Sequence, residues 1–123
     1  MERILTKQPI LEIGKQNSEG RTYTKKAVDE ILAKFETGDV VYGELGHPES
    51  EYITINNISH KITSMYVEDN VLYLDAELTE TPAGWAAAEL PNIKFGIRGI
   101  VNPPLQDGIV DSIELITCDI IQN

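Results

Sequence analysis

The chain has 123 residues, 41% hydrophobic and 24% charged, a composition that fits one folded globular domain over 1–123 and excludes a disordered tail or a membrane protein. Its 20 acidic against 10 basic side chains give a formal net charge of -10, which repels a phosphate backbone, so nucleic acid is an unfavourable partner. No apolar run approaches the roughly 18 residues a membrane span requires.

Residues 1–7 have neither the apolar stretch nor the small-residue cleavage site of a secretory signal, so a cytoplasmic compartment is expected. Residues 3–13 alternate loosely and end at Gly14, which predicts a first strand. A polar loop follows, with turn chemistry at Asn17, Ser18 and Gly20. From Thr24 the period changes: Ala27, Val28, Ile31, Leu32 and Phe35 recur at three and four residues, predicting a helix capped by Thr24 that stops before Gly38. Residues 40–45 then read as a strand running into Gly46-His47-Pro48, where Pro48 imposes an extended or turn geometry on His47. Residues 58–67 and 71–78 form two β-type segments joined at Asp69-Asn70, a predicted hairpin. Thr81 as N-cap and Pro82 at the first helical position open a second helix through the alanine-rich stretch 85–90, which Pro91 ends. Residues 93–101 and 109–121 supply the last strands, separated by the Pro103-Pro104 and Asp107-Gly108 turn signals. Six or seven strands and two helices make an α+β reading: a small, mostly antiparallel β-barrel, closed or nearly closed.

Three stretches carry a family resemblance. The first is Asn17-Ser18-Glu19-Gly20-Arg21-Thr22-Tyr23 ahead of a helix, the second Gly43-Glu44-Leu45-Gly46-His47-Pro48-Glu49, and the third Ile58-Ser59-His60-Lys61-Ile62 with Thr81-Pro82-Ala83-Gly84 downstream. In order and spacing they resemble the Asn-x-x-Gly-Arg-x-Tyr, Gly-Glu-Leu-x-His-Pro, Val-Ser-His-x-Ile and Thr-Pro-x-Gly stretches of the tailed-phage prohead (capsid-maturation) serine proteases, whose fold is similar to that of the herpesvirus assemblin protease. The resemblance runs from about Ile13 to Ile121, and the closing Glu114-Leu115-Ile116-Thr117-Cys118-Asp119 is similar to the family's Glu-Leu-x-Thr-x-Asp.

The resemblance implies nucleophilic catalysis, in which a serine hydroxyl hands its proton to an imidazole held by a third group. His47 and His60 occupy the positions similar to the base and its partner. A histidine beside a proline in a loop equally serves as a turn or hydrogen-bonding residue. Where the family has Lys-x-Gly-Val-Ser-Ser-Arg-Gly, this chain reads Lys94-Phe95-Gly96-Ile97-Arg98-Gly99, so the serine pair is missing and a two-residue loss leaves strand alternation intact. Arg98 resembles the residue that helps the oxyanion, with surface charge or a salt bridge as its ordinary role. Ser59 and Ser64 match no family nucleophile, and Ser112 and Thr117 lie with Cys118 on the last expected strand. Cys118, the sole cysteine, is either a small buried hydrophobe or an alternative nucleophile paired with His47. Glu44, His47 and His60 are acceptable metal ligands by type, yet no zinc-type spacing supports a site, and no metal or cofactor is expected.

The resulting expectation is a protease-fold protein without its nucleophile, kept as a structural or binding component: a capsid decoration or cement protein, or a partner of capsid or scaffold protein, in the virion or host cytoplasm. Oligomers are compatible with it, and so is the ending of the chain at its last strand. The alternative is an active maturation protease with a displaced nucleophile, and a third is an acidic inhibitor of a host protein.

Overall fold

The computed structural model describes residues 3–37, 41–48, 50–103 and 105–121. Gly38, Val40, Glu49 and Pro104, which enter the expectations above, lie outside these residues.

Nine residues form β1 (Ile4–Glu12), and a short β2 (Thr22–Tyr23) follows the polar loop. Helix α1 (Lys25–Phe35) starts where its cap predicts: Thr24 has extended φ/ψ and its hydroxyl accepts from Ala27 N at 3.2 Å, satisfying one orphan amide of the first turn. Its apolar face buries Ala27, Val28 and Ile31 completely. Then come β3 (Val41–Glu44), a single 3-10 turn (Ile55–Asn57), β4 (Ile58–Glu68) and β5 (Val71–Leu78). The β4–β5 connection is a two-residue turn in which Asp69 and Asn70 have φ of 48° and 67°, the doubly left-handed geometry that matches strand twist. Helix α2 (Pro82–Ala88) is capped by Thr81, whose hydroxyl accepts from Gly84 N at 3.0 Å.

The last strand expected over 109–121 is two strands instead. β6 (Lys94–Val101) pairs antiparallel with β8 (Ile113–Ile121), whereas β7 (Ile109–Val110) pairs in parallel with β2. The break at Asp111 and Ser112 has a cause: Thr24 Oγ1 donates to Asp111 Oδ1, and Glu30 accepts from Ser112 Oγ and Ile113 N. Helix α1 thus ties down the residues that would continue the strand.

Strands β1-β5-β4-β3 form one antiparallel sheet, and β6-β8 a second. The small, mostly antiparallel α+β reading stands, but the sheets do not close into a barrel. At the β3–β8 seam a regular ladder is replaced by the Leu45–Ile120 bridge and by side chains, with Thr117 Oγ1 donating to Tyr42 O at 2.7 Å and Glu44 N donating to Asp119 Oδ1 at 3.2 Å. At the other seam β1 lies beside β6 without a ladder. Buried side chains of both sheets and of both helices, including Ile31, Leu74, Ala87, Phe95 and Ile120, form one connected cluster. No helix among the described residues is long and apolar enough to cross a membrane.

Candidate functional site

The site is built on the outer face of the β6–β8 pair. Arg98 pairs with Thr117 and Gly99 with Leu115, so Ile116 is an extra residue in β8. One extra residue reverses which side chains face inward beyond it. Ile113 and Leu115 point to the core before the bulge, Cys118 and Ile120 after it, and Thr117 and Asp119 turn outward beneath β3 and its following loop. On β6, Phe95 and Ile97 pair with Ile120 and Cys118 on the core side, which leaves Gly96 and Arg98 on the same face as Asp119.

That face holds a buried ionic cluster. Arg98 is 6% exposed, Glu44 1% and Asp119 not at all. Arg98 Nη2 donates to Glu44 Oε2 at 2.7 Å and to Asp119 Oδ1 at 3.0 Å, while Nη1 donates to the carbonyls of Ser50 and Tyr52 at 3.1 and 3.3 Å. The guanidinium fork therefore ties two carboxylates to the loop that follows β3. Burial pushes the Glu44 carboxyl up, but hydrogen bonds from Arg98, the Thr54 backbone and Asn57, with the Arg98 charge, outweigh it and leave it below the ordinary value. For Asp119 burial wins over Arg98, the Glu44 amide and His47, and its pKa is raised.

His47 enters over this cluster because Gly46, at φ +89°, turns the chain while its amide donates to Ile120 O at 2.8 Å. Asn57 Nδ2 holds the preceding carbonyl, Leu45 O, at 2.7 Å. His47 Nδ1 then lies 3.2 Å from Asp119 Oδ2, with the side chain 31% exposed. That distance is an ion-pair contact; Asp119 Oδ2 has no hydrogen-bond partner among the described residues. Beside the imidazole is a cleft of about 460 Å³ lined by His47, Pro48, Arg98, Gly99, Ile100 and Ile116, with Glu19, Arg21 and Glu51 among the other walls.

His60 has a different situation. It is fully buried, its Nε2 is 2.8 Å from Cys118 O and its Nδ1 2.8 Å from Ser59 Oγ. A carbonyl only accepts, so Nε2 carries the proton and the Ser59 hydroxyl donates to Nδ1. Burial lowers its pKa to about 4 against the opposing pull of the Cys118 carbonyl. The ring stands edge-on to Phe95 at 5.2 Å and fills the space over Gly43, where a Cβ would overlap His60 Nε2 and Cys118 O. Each imidazole is engaged by its own partners, and the structure does not join the two into one relay.

Cys118 has no exposed surface, and burial, with the Asp119 charge, raises its thiol pKa far above the ordinary range. The thiol is a poor nucleophile in the folded chain. Among the described residues no three carboxylate, imidazole or thiol side chains converge as metal ligands. Neither Glu44, a motif residue and metal-ligand type, nor Asp119, a charge in the last apolar run, is expected from the sequence as part of a buried ionic cluster. The available signal was a charge inside an apolar run, at Asp119 and again at Arg98, since a charge buried in a strand requires a counter-charge.

No family model matches the sequence. Over 64 residues, 49% of this chain, it is 36% identical to the alcaligin biosynthesis enzyme of Bordetella pertussis, and to the same degree to those of Bordetella parapertussis and Bordetella bronchiseptica. The match spans only 14% of the length of those proteins. The fold gives a broader likeness: the bacteriophage T4 capsid assembly protease gp21 superposes with a TM-score of 0.80 at 18% identity, over 99% of this chain and 92% of that one. The fold is that of a phage capsid assembly protease. The expected resemblance is thereby met at the level of fold, with the β6–β8 face and the loop carrying His47 as its most developed polar feature.

Proposed function

We propose that this chain is a binding protein on the capsid-assembly-protease fold, without peptidase activity, that engages a phage capsid or scaffold protein as a decoration or assembly component in the virion or host cytoplasm. The observation that carries the reading is the state of Arg98. In the strand whose family counterpart bears the serine pair, this side chain is already held by four acceptors, Glu44, Asp119, Ser50 O and Tyr52 O. Its remaining donor, Nε, is buried without a partner among the described residues, so the guanidinium offers no unengaged, solvent-facing N–H to an oxyanion. Among the described residues no hydroxyl or thiol is hydrogen-bonded to His47, and the single hydroxyl–imidazole pair, Ser59 with His60, is sealed in the core. We read His60 and Cys118 as packing residues and His47 as an inherited position.

A second reading, an active maturation protease with a displaced nucleophile, is favoured by one observation: His47 Nδ1 lies 3.2 Å from a buried carboxylate oxygen beside an open cleft. Incubation of the purified chain with the capsid and scaffold proteins of its own phage separates the two. The binding reading expects a complex, intact polypeptides and no labelling by fluorophosphonate. Cleavage that disappears in His47→Ala establishes the second reading instead.

A further inference from the structure

The missing ladder between β3 and β8 leaves a pocket of about 430 Å³ at that seam, between the end of α1, the start of β3, the loop that follows β3 and the bulge of β8. The loop divides it from the His47 cleft: Ser50 and Glu51 line the cleft, Ile53 and Ile55 the pocket. Among the described residues its aliphatic walls are Val41, Ile53, Ile55, Ile58, Leu115 and Ile116, and its one charged wall is Lys34. Lys34 lies in the last turn of α1, and its contact with Glu114 is open at 3.8 Å, against 2.9 Å for Lys7 with Glu68. Ile55 at the rim is 81% exposed. Its turn is fixed from inside, because Asn57 Nδ2 donates to Glu44 Oε1 and Leu45 O at 3.3 and 2.7 Å. An aliphatic side chain held out in water beside an apolar pocket marks an interaction surface.

We propose that this seam pocket is the docking site for a segment of the partner protein that buries bulky apolar side chains against β3 and β8 and sets a carboxylate against Lys34. The inference rests on the binding reading above and names where the partner is held. Size and charge select the occupant. The pocket falls in the range of about 300–1,000 Å³ usual for ligand sites, yet the apolar surface does not stop at its rim. Ile55 stands mostly outside it, and α2, which packs beside the 3-10 turn, carries Trp85 at 54% exposure. A small ligand would leave these side chains in water, whereas a polypeptide anchored in the pocket covers them. The net charge of -10 repels an acidic partner over most of the surface. A carboxylate gains most beside a lysine whose own counter-ion is loose and whose surroundings are apolar.

The test pans a displayed library of random nonapeptides against the folded protein, Ile55→Asp and Lys34→Glu. Both changed side chains are exposed, so the fold tolerates the substitutions. The wild type is expected to enrich peptides with bulky apolar residues beside Asp or Glu, and Lys34→Glu to exchange the acid for Lys or Arg. The best wild-type peptide, made synthetically, binds Ile55→Asp at least about tenfold more weakly and shifts the amide resonances of Tyr42 and Ile116. No enrichment over Ile55→Asp, or the same acidic preference in Lys34→Glu, overturns the site. The capsid and scaffold proteins of the chain's own phage separate this failure from that of the binding reading. A complex formed equally well by the wild type and Ile55→Asp refutes the site and leaves that reading standing. Selected peptides without a complex to either protein refute the reading and leave the site.

Discussion

Replacing Arg98 by methionine, which keeps the length and apolar stem of the side chain, tests whether the ionic cluster is structural. The substitution removes the counter-charge from Glu44 and Asp119, both almost without solvent contact, and the two donors that hold Ser50 O and Tyr52 O. Breaking a buried pair by deleting one partner costs about 3–5 kcal/mol, which for a chain of this size lowers the melting temperature on the order of 10–20 °C at pH 7. The pH dependence follows in sign. Glu44 has a lowered folded pKa in the wild type, so its contribution is present above the ordinary carboxylate range and lost as pH falls through the lowered value. In Arg98→Met both carboxyls lose the guanidinium that opposed burial, keeping only Asn57 and the Thr54 backbone at Glu44 and the Glu44 amide and His47 at Asp119, so their pKa values rise, and protonation removes the need for a counter-charge. The deficit is therefore largest at neutral pH and shrinks towards pH 4. Urea unfolding of both proteins across this range measures it. A variant within about 0.5 kcal/mol of wild type at pH 7, or a deficit that grows on acidification, refutes the reasoning.

The remaining core features give further expectations. His60 has a folded pKa of about 4 against 6.5 for the ordinary imidazole, so the unfolded chain takes up a proton first. Stability is lost as pH falls from about 6.5 to about 4, by up to about 3 kcal/mol. Urea midpoints across that range will show this slope in the wild type and its absence in His60→Gln. Gly43→Ala forces a Cβ onto His60 Nε2 and Cys118 O and is expected to cost about 1–3 kcal/mol, with a shifted His60 imidazole resonance as the specific sign. Cys118, buried and with its thiol pKa raised, will react with iodoacetamide only at the rate at which the chain opens, and labelling as fast as a free thiol would contradict its packing role.

Local chemistry was legible in the sequence where one residue governs its neighbours. Thr24 and Thr81 announce their helices because an N-cap acts within three residues, and Asp69-Asn70 announces the hairpin because both accept positive φ. What was hidden depends on distant pairing. The strand character of Thr22 and Tyr23 exists only through Ile109 and Val110, and the split of the last strand depends on Thr24 and Glu30 claiming residues some eighty positions away. The two histidines looked alike in sequence, each one a polar residue near a strand end. Their environments part company because Gly46 bends His47 outward, whereas Gly43 leaves a gap that the His60 ring fills.

Two irregularities together account for the missing ladder between β3 and β8. Had β8 run without its extra residue, the alternation that buries Ile113 and Leu115 would have driven Thr117 and Asp119 into the core, an unpaired carboxylate among Leu74, Phe95 and Ile31. The bulge at Ile116 moves that carboxylate to the face where Arg98 and His47 meet it, and moves Cys118 and Ile120 inward. The seam then has to hold an imidazole on one side of β8 and a carboxylate on the other, so side chains bond to the backbone where strand would have bonded to strand: Asp119 to the Glu44 amide, Thr117 to Tyr42 O, His60 to Cys118 O. Barrel closure and a buried polar site compete for the same backbone groups. In this chain the site wins at β3–β8, which is why the sheet stays open there.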